Sequence, residues 1–394
     1  MNTIKNILRL TALALAMIFI CVDVGAQDIK ATPGVTPFPF YSVAVDAQID
    51  NKIEPSAIEP IGNDGKYFLV ADDKDDDKGH SLKVVDSHGV VIKTLENFQG
   101  NEKNPKWEAM AKDDNRYFYV IGQHNDKDPV KRATRSRIFR FRLKSEAETN
   151  PANFAIDMST VELREMDIKK SLSDLKLYNV KGAVSAAKIE GLAIQTIGCT
   201  KRLVVGLREP FFNKSDVQVY YADIPDEKQW SSGVVQLTLN PYFHFKAGKP
   251  DNSKAPFQLS SIEYVEKLKG FLIMTSTEDG DNNFYGNALW FAGDEMIAEA
   301  RKVNPFAELK LDFLKPAAVF EPTMKAEGLS VLPPLNGEKL RLVIVFDNDA
   351  GQTGKVGKMG FWTLADNTAK LVAWTSASHV ERPAKKKKPT TPTP

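Results

Sequence analysis

The chain has 394 residues, with 52 Lys and Arg against 51 Asp and Glu and a formal net charge of +1. So even a balance excludes a broad electrostatic affinity for nucleic acid. Two cysteines exclude a disulfide-rich scaffold, so stability has to come from a large apolar core.

The N-terminus has the order of an export signal. Lys5 and Arg9 give a basic start, residues 10–21 are almost unbroken in apolar character, and Val24-Gly25-Ala26 offers small residues before Gln27. The apolar run is too short for a comfortable membrane span. Ile20 stands where lipid attachment at Cys21 would need a small residue, so cleavage after Ala26 is expected. Residues 1–26 are then a signal peptide, and the mature chain is periplasmic or secreted with no transmembrane segment. Removing Lys5, Arg9 and Asp23 leaves it close to neutral. Cys199 remains as its one cysteine, expected as a small buried hydrophobe. At the other end, residues 381–394 carry Lys385 to Lys388 and a Pro-rich stretch with nothing apolar to pack. They read as a disordered basic tail.

Between these ends, residues 27–380 read as one domain built on a repeat. Its clearest copy is Glu190-Gly191-Leu192-Ala193, followed by the apolar run Leu203-Val204-Val205-Gly206-Leu207 and then Arg208-Glu209. Related signatures occur at Ser56-Ala57-Ile58-Glu59, Glu108-Ala109-Met110-Ala111, Ser260-Ser261-Ile262-Glu263 and Glu327-Gly328-Leu329-Ser330. Each precedes a first strand (67–71, 117–121, 203–207, 270–274 and 342–346). The runs are apolar on consecutive positions, the mark of strands covered on both faces. Second strands are expected at 82–85, 138–143, 217–222, 288–291 and 361–364. Third strands are expected at 90–95, 161–166, 234–239, 296–303 and 370–374. Turn chemistry such as Asp86-Ser87-His88-Gly89 and Asp366-Asn367 joins them.

Hairpin-linked strands in repeated units predict an all-β fold, a β-propeller. Five units favour five blades. Six is the alternative, because the stretch from Glu108 to Glu190 has room for one more. Residues 167–188 and 305–314 read as short helical insertions, and a strand at 40–45 is expected to complete the last blade.

Rotational repetition carries equivalent positions to one rim. The first strands end in Asp72-Asp73, His124, Arg208-Glu209, Glu278 and Asp347-Asn348-Asp349. Converging carboxylates invite a cation, with Asp72, Asp73, Asp347 and Asp349 as the metal set and calcium or magnesium as the ion. Turn chemistry is the other explanation of such Asp-rich ends. An EF-hand is excluded, since Val84 falls where the closing Glu belongs. Glu108, Glu209, Glu278 and Glu327 form a ligand rim, and Glu190, with Arg208 and His124, is the catalytic candidate. Structural capping explains the three signature carboxylates equally well, because Ser56 and Ser260 fill the same slot. Arg208 could stabilise developing charge, and His124 is the one histidine placed to act as a base. Lys131, Arg132, Arg135 and Arg137 could join Arg208 at an anion. Read otherwise, Arg135, Arg137 and Arg140 are the exposed edge of a hairpin. No nucleophile elbow, zinc-protease motif, phosphate loop or dinucleotide fingerprint is present, and no organic cofactor is expected.

At Glu108-Ala109-Met110-Ala111 with residues 119–124, and at residues 189–193 with 205–210, the chain resembles the secreted bacterial family called domain of unknown function 3616. The Glu-Gly-Leu units are also similar to esterase-like phytase propellers and to SdiA-regulated propellers. The resemblance spans about residues 56–374. It implies a propeller in an exported compartment, and through its neighbours ester or phosphoester hydrolysis or calcium-supported binding. The expectation is a monomeric exported propeller that binds a small or polymeric ligand on its acidic rim. A metal-assisted hydrolase and a protein-interaction scaffold are the alternatives.

Overall fold

The computed structural model describes residues 40–42, 47–48, 54–62, 64–72, 81–95, 106–122, 137–144, 150–166, 171–172, 187–212, 216–226, 230, 237–249, 253, 255–278, 284–309, 318–320, 325–332, 340–347 and 358–364. They form five sheets in chain order. The first contains β3 (Pro55–Ile61), β4 (Tyr67–Asp72), β5 (Leu82–Asp86) and β6 (Val91–Leu95). The second contains β7 (Trp107–Lys112), β8 (Phe118–Gly122), β9 (Arg137–Leu143) and β10 (Ile156–Glu165). In the third, β11 (Lys188–Ile197), β12 (Thr200–Phe212), β13 (Asp216–Ile224) and β14 (Asn240–Lys246) are joined by β18 (Ala307–Leu309). The fourth is β15 (Gln258–Val265), β16 (Gly270–Glu278), β17 (Phe284–Gly293) and β19 (Ala318–Phe320). The fifth is β20 (Lys325–Leu332), β21 (Arg341–Asp347) and β22 (Lys358–Leu364), completed by β1 (Phe40–Ser42) and β2 (Ala47–Gln48) on β22. The early strand therefore closes the last sheet, as its position predicts.

The signature strands β3, β7, β11, β15 and β20 are innermost, and each packs on its neighbours around the axis. Among the described residues, an apolar layer fills each of the five seams. Ile58, Phe68 and Val70 of the first sheet, for example, meet Leu332, Val343 and Val345 of the fifth. That closure makes the architecture a β-propeller. The second strands β4, β8, β12, β16 and β21 lie between two such layers, which is why their sequences do not alternate. The glycine of the signature lets inner strands approach: a Cβ on Gly328 would lie 2.8 Å from Ala57 Cα, and one on Gly191 2.8 Å from Ile262 Cγ2.

Several expectations need correction. The signatures do not precede the first strand but are the first strand, so each remaining strand moves outward by one place. Between Glu108 and Glu190 the described strands β8, β9 and β10 all belong to the second sheet. Residues 296–303 form part of a helix, α1 (Asp294–Val303), not a strand. Asp294 and Glu295 open it, Arg301 and Lys302 close it, and Ile297 is buried, so charge follows the helix dipole. The fourth strand of the third sheet is β14, residues 237–239 lie before it outside any strand, and the stretch 305–314 contains β18, paired parallel to β14 at the sheet edge. Cys199 is exposed, in the two-residue turn after Ile197 where Gly198 takes φ 59°. The turn at Asp86 follows expectation: its Oδ1 accepts from the His88 and Val90 amides at 2.8 and 2.9 Å. The strand expected at 370–374 and the turn at Asp366 lie outside the described residues, as do residues 1–26 and 381–394.

Candidate functional site

All five inner strands carry a register shift at the same place. The ladder passes from Pro55 to Ala57, Trp107 to Ala109, Ile189 to Gly191, Leu259 to Ser261 and Ala326 to Gly328. The residue left without a ladder partner is Ser56, Glu108, Glu190, Ser260 or Glu327. Such a bulge frees one residue from the pleat and re-aims its side chain. Each of the five is at most 5% exposed. The slot that the sequence marks with Glu or Ser is therefore a repeated bulge.

Two residues before three of these bulges stands a lysine: Lys106, Lys188 and Lys325. The ammonium and carboxylate groups join into a chain around the axis. Lys106 Nζ lies 3.3 Å from Glu108, and Lys188 Nζ lies 3.9 Å from Glu108 and pairs with Glu190. Arg208 Nη1 is 3.6 Å from Glu190, while its Nη2 donates to Glu278 Oε2 at 2.7 Å and its Nε to Gln258 Oε1 at 2.9 Å. Lys325 Nζ is 3.6 Å from Glu278 and also pairs with Glu327. The network crosses the second to fifth sheets. Ser56 ties the first sheet to the second through a 2.7 Å bond from its hydroxyl to the Trp107 carbonyl.

This burial and charge pull the carboxyls apart. Burial alone would raise Glu190, but Lys188, Arg208 and Lys325 outweigh it and hold the group down at about 2. Burial likewise opposes ionisation of Glu278, where Lys325 and Arg208 prevail and lower it. Glu327 goes the other way. Its burial dominates, and the charges of Glu190 and Asp347 add to it, so it is raised well above 4.5 despite Lys325 and Arg208. The guanidinium of Arg208 is desolvated, but Glu190, Glu327 and Glu278 secure its charge and raise its pKa. Burial and like charge thus push Glu327 up while the surrounding cations hold Glu190 ionised, so the two carboxyls shift in opposite directions.

The other expected residues divide. Asp347 sits opposite Lys325 in the ladder. Asp72 sits opposite Pro55, accepts from the Glu54 amide at 3.1 Å and lies 3.5 Å from Lys83. Glu209 faces Lys188 in register and is only partly buried. His124, Asp73 and Asp349, with Lys131, Arg132 and Arg135, lie outside the described residues. Arg140 is not a solvated hairpin edge: it is 2% exposed and bonded to Glu162. Among the described residues no group of three or more His, Cys, Asp and Glu side chains is arranged to hold a metal ion. Each of Glu108, Glu190, Glu278 and Glu327 has an ammonium or guanidinium beside it, a donor set that does not fit a second cation. The sequence reading missed the lysines and Gln258. The recurring Lys-x-Glu triplets 106–108, 188–190 and 325–327 were the available signal.

No protein-family model matches the chain, and no curated protein sequence matches it. Solved structures give weak matches. An exo-beta-1,3-galactanase from Clostridium thermocellum matches at 10% identity and TM-score 0.40, over 84% of this chain and 62% of that one. This chain thus covers less than two thirds of that protein's length. A thermostable family-43 glycoside hydrolase matches at 12% identity and TM-score 0.42, over 88% of this chain and 100% of that one. An alpha-L-arabinanase from Cellvibrio cellulosa matches at 10% identity and TM-score 0.39, over 80% and 91%. Similarity at this level assigns no activity.

Proposed function

We propose that the protein is an exported five-bladed propeller that binds a small, neutral, hydroxylated ligand on the bulged ring at its axis. The observation that carries this reading is the bulge repeated in all five sheets at Ser56, Glu108, Glu190, Ser260 and Glu327. A device kept in every unit at one depth gathers polar side chains where a fold otherwise needs apolar packing. Among the described residues, Oε2 of Glu190, Oε2 of Glu327, Arg208 Nη1 and the hydroxyl of Ser260 have no hydrogen-bond partner. A ligand presenting several donors and an acceptor would satisfy them.

The second reading, hydrolysis of an ester or phosphoester, is favoured by the opposed protonation of Glu327 and Glu190. Glu327 would protonate the leaving group, Glu190, too weak a base to take a proton, would orient the attacking water, whose proton passes to solvent, and Arg208 would face developing negative charge. The divalent-cation proposal is confined to the strand ends of the first and fifth sheets, at Asp72, Asp73, Asp347 and Asp349.

Thermal unfolding of the mature chain tests these readings against sugars and polyols, amines, phosphomonoesters, calcium and magnesium. A ring ligand at a hundredfold excess over its Kd adds about 2.7 kcal/mol, and Glu190→Gln removes that gain. A panel that leaves both proteins unmoved would make the ring a structural girdle. A cation effect lost in Asp347→Asn but kept in Glu190→Gln would favour the metal proposal.

A further inference from the structure

A second polar cluster lies away from the ring, in the seam between the second and third sheets. Arg140 and Arg142 project from one face of β9, with Arg164 beside them on β10. Trp230, which follows β13, packs into the same apolar layer as Tyr119 and Ile138. The Arg140 guanidinium carbon lies 4.1 Å from the Tyr117 ring centre and 4.7 Å from that of Trp230. Arg142 is 4.0 Å over Tyr117, and Arg164 is 5.6 Å over Trp230.

Guanidinium groups do not escape burial by losing a proton, so each needs an anion or acceptor. Among the described residues, Glu162 binds Arg140 at 2.8 Å and only partly offsets the charge of Arg164. Asp113 is already held by Lys201 at 3.0 Å. Exposed Asp157 faces Arg142 across the ladder. Arg164 is 8% exposed and donates to the neighbouring Leu163 carbonyl. Among the described residues, its Nε and Nη2, the Nε of Arg142 and the indole nitrogen of wholly buried Trp230 have no hydrogen-bond partner. These four unpartnered donors face one crevice, and its partly buried carboxylate, Glu162, is taken by Arg140, the inverse of the ring site. Burial and the like charge of Arg140 both act against Arg164.

We infer that this crevice binds a compact oxyanion, a phosphate or sulfate group, on Arg164, Arg142 and the Trp230 indole. A tetrahedral oxyanion accepts from a guanidinium edge and still has oxygens for the other donors. Arg142 is only partly buried, so the cluster reaches the surface at that end.

The test uses the full mature chain, titrated with inorganic phosphate, inorganic sulfate and glycerol phosphate against sodium chloride at matched ionic strength. The expected result is a saturable rise in Tm with a change in fluorescence that is absent from Trp230→Phe. Arg164→Lys keeps the charge but loses the two unpartnered nitrogens, and should weaken binding at least tenfold. Lys302→Ala, an exposed position on α1, should not weaken it. Glycerol phosphate binding as well as inorganic phosphate identifies the terminal group of a larger molecule, whereas binding of the inorganic ions alone identifies free oxyanion. No saturable response in the wild type overturns the inference, as does a response that Arg164→Lys leaves unchanged.

Discussion

Glu190→Gln removes the most tightly held charge in the ring while keeping its shape. Glu190 is 1% exposed and faces Lys188, Arg208 and Lys325. Holding its carboxyl at about 2 rather than the ordinary 4.5 corresponds to about 3 kcal/mol at 1.36 kcal/mol per pH unit. Removing one partner of a buried ion pair costs about 3–5 kcal/mol on independent grounds, because the remaining cations stay buried. The folded pKa is depressed, so this stability is present above pH 4.5 and is lost as pH falls toward 2. Urea unfolding should therefore show the variant less stable by about 3 kcal/mol at pH 7, with the gap falling below half by pH 3. Equal stability at pH 7, or a gap that does not change with pH, would refute the assignment of Glu190 as the ring's anchored anion.

Glu263, raised to about 8 mainly by burial, has the opposite sign: its stabilisation is present below pH 4.5 and lost as pH rises through 8. Glu263→Gln should abolish that decline and be more stable than wild type at pH 8, by about 2–4 kcal/mol in urea titrations given its partial exposure. Gly328→Ala would set a methyl 2.8 Å from the Ala57 backbone, so calorimetry should show a loss of about 1–3 kcal/mol or more. Mass spectrometry of exported protein should find Gln27 as the first residue, and a lipid on Cys21 would contradict that expectation.

The repeat was legible because it writes one slot five times. Apolar runs such as residues 203–207 could belong only to strands covered on both faces, and they are. The inner strands themselves were not legible. A Glu or Ser in mid-strand breaks the apolar pattern and reads as a loop end, until the bulge explains how a buried strand tolerates it. Lys188 and Lys325 carry no sign in the apolar pattern that they are buried. Only the recurrence of Lys-x-Glu marks them, and the partners that arrive from other sheets, Glu108 for Lys188 and Glu278 for Lys325, are distant in sequence. Helix α1 was mistaken for a strand because Met296, Ile297 and Ala298 are contiguous, although the charge order at its ends argued otherwise. Arg140 escaped because its partners, Glu162 and Trp230, are distant in sequence.

The central claim is that side chains from separate sheets share one ligand through their bulges. It is tested most directly by measuring the Kd of the best thermal-shift ligand on wild type, Glu108→Gln, Glu327→Gln and the surface control Lys302→Ala. Glu108 and Glu327 belong to the second and fifth sheets. The account predicts that both substitutions weaken the same ligand at least tenfold and that the control does not. A ligand that loses affinity with neither substitution, or with one alone, would contradict a shared axial site.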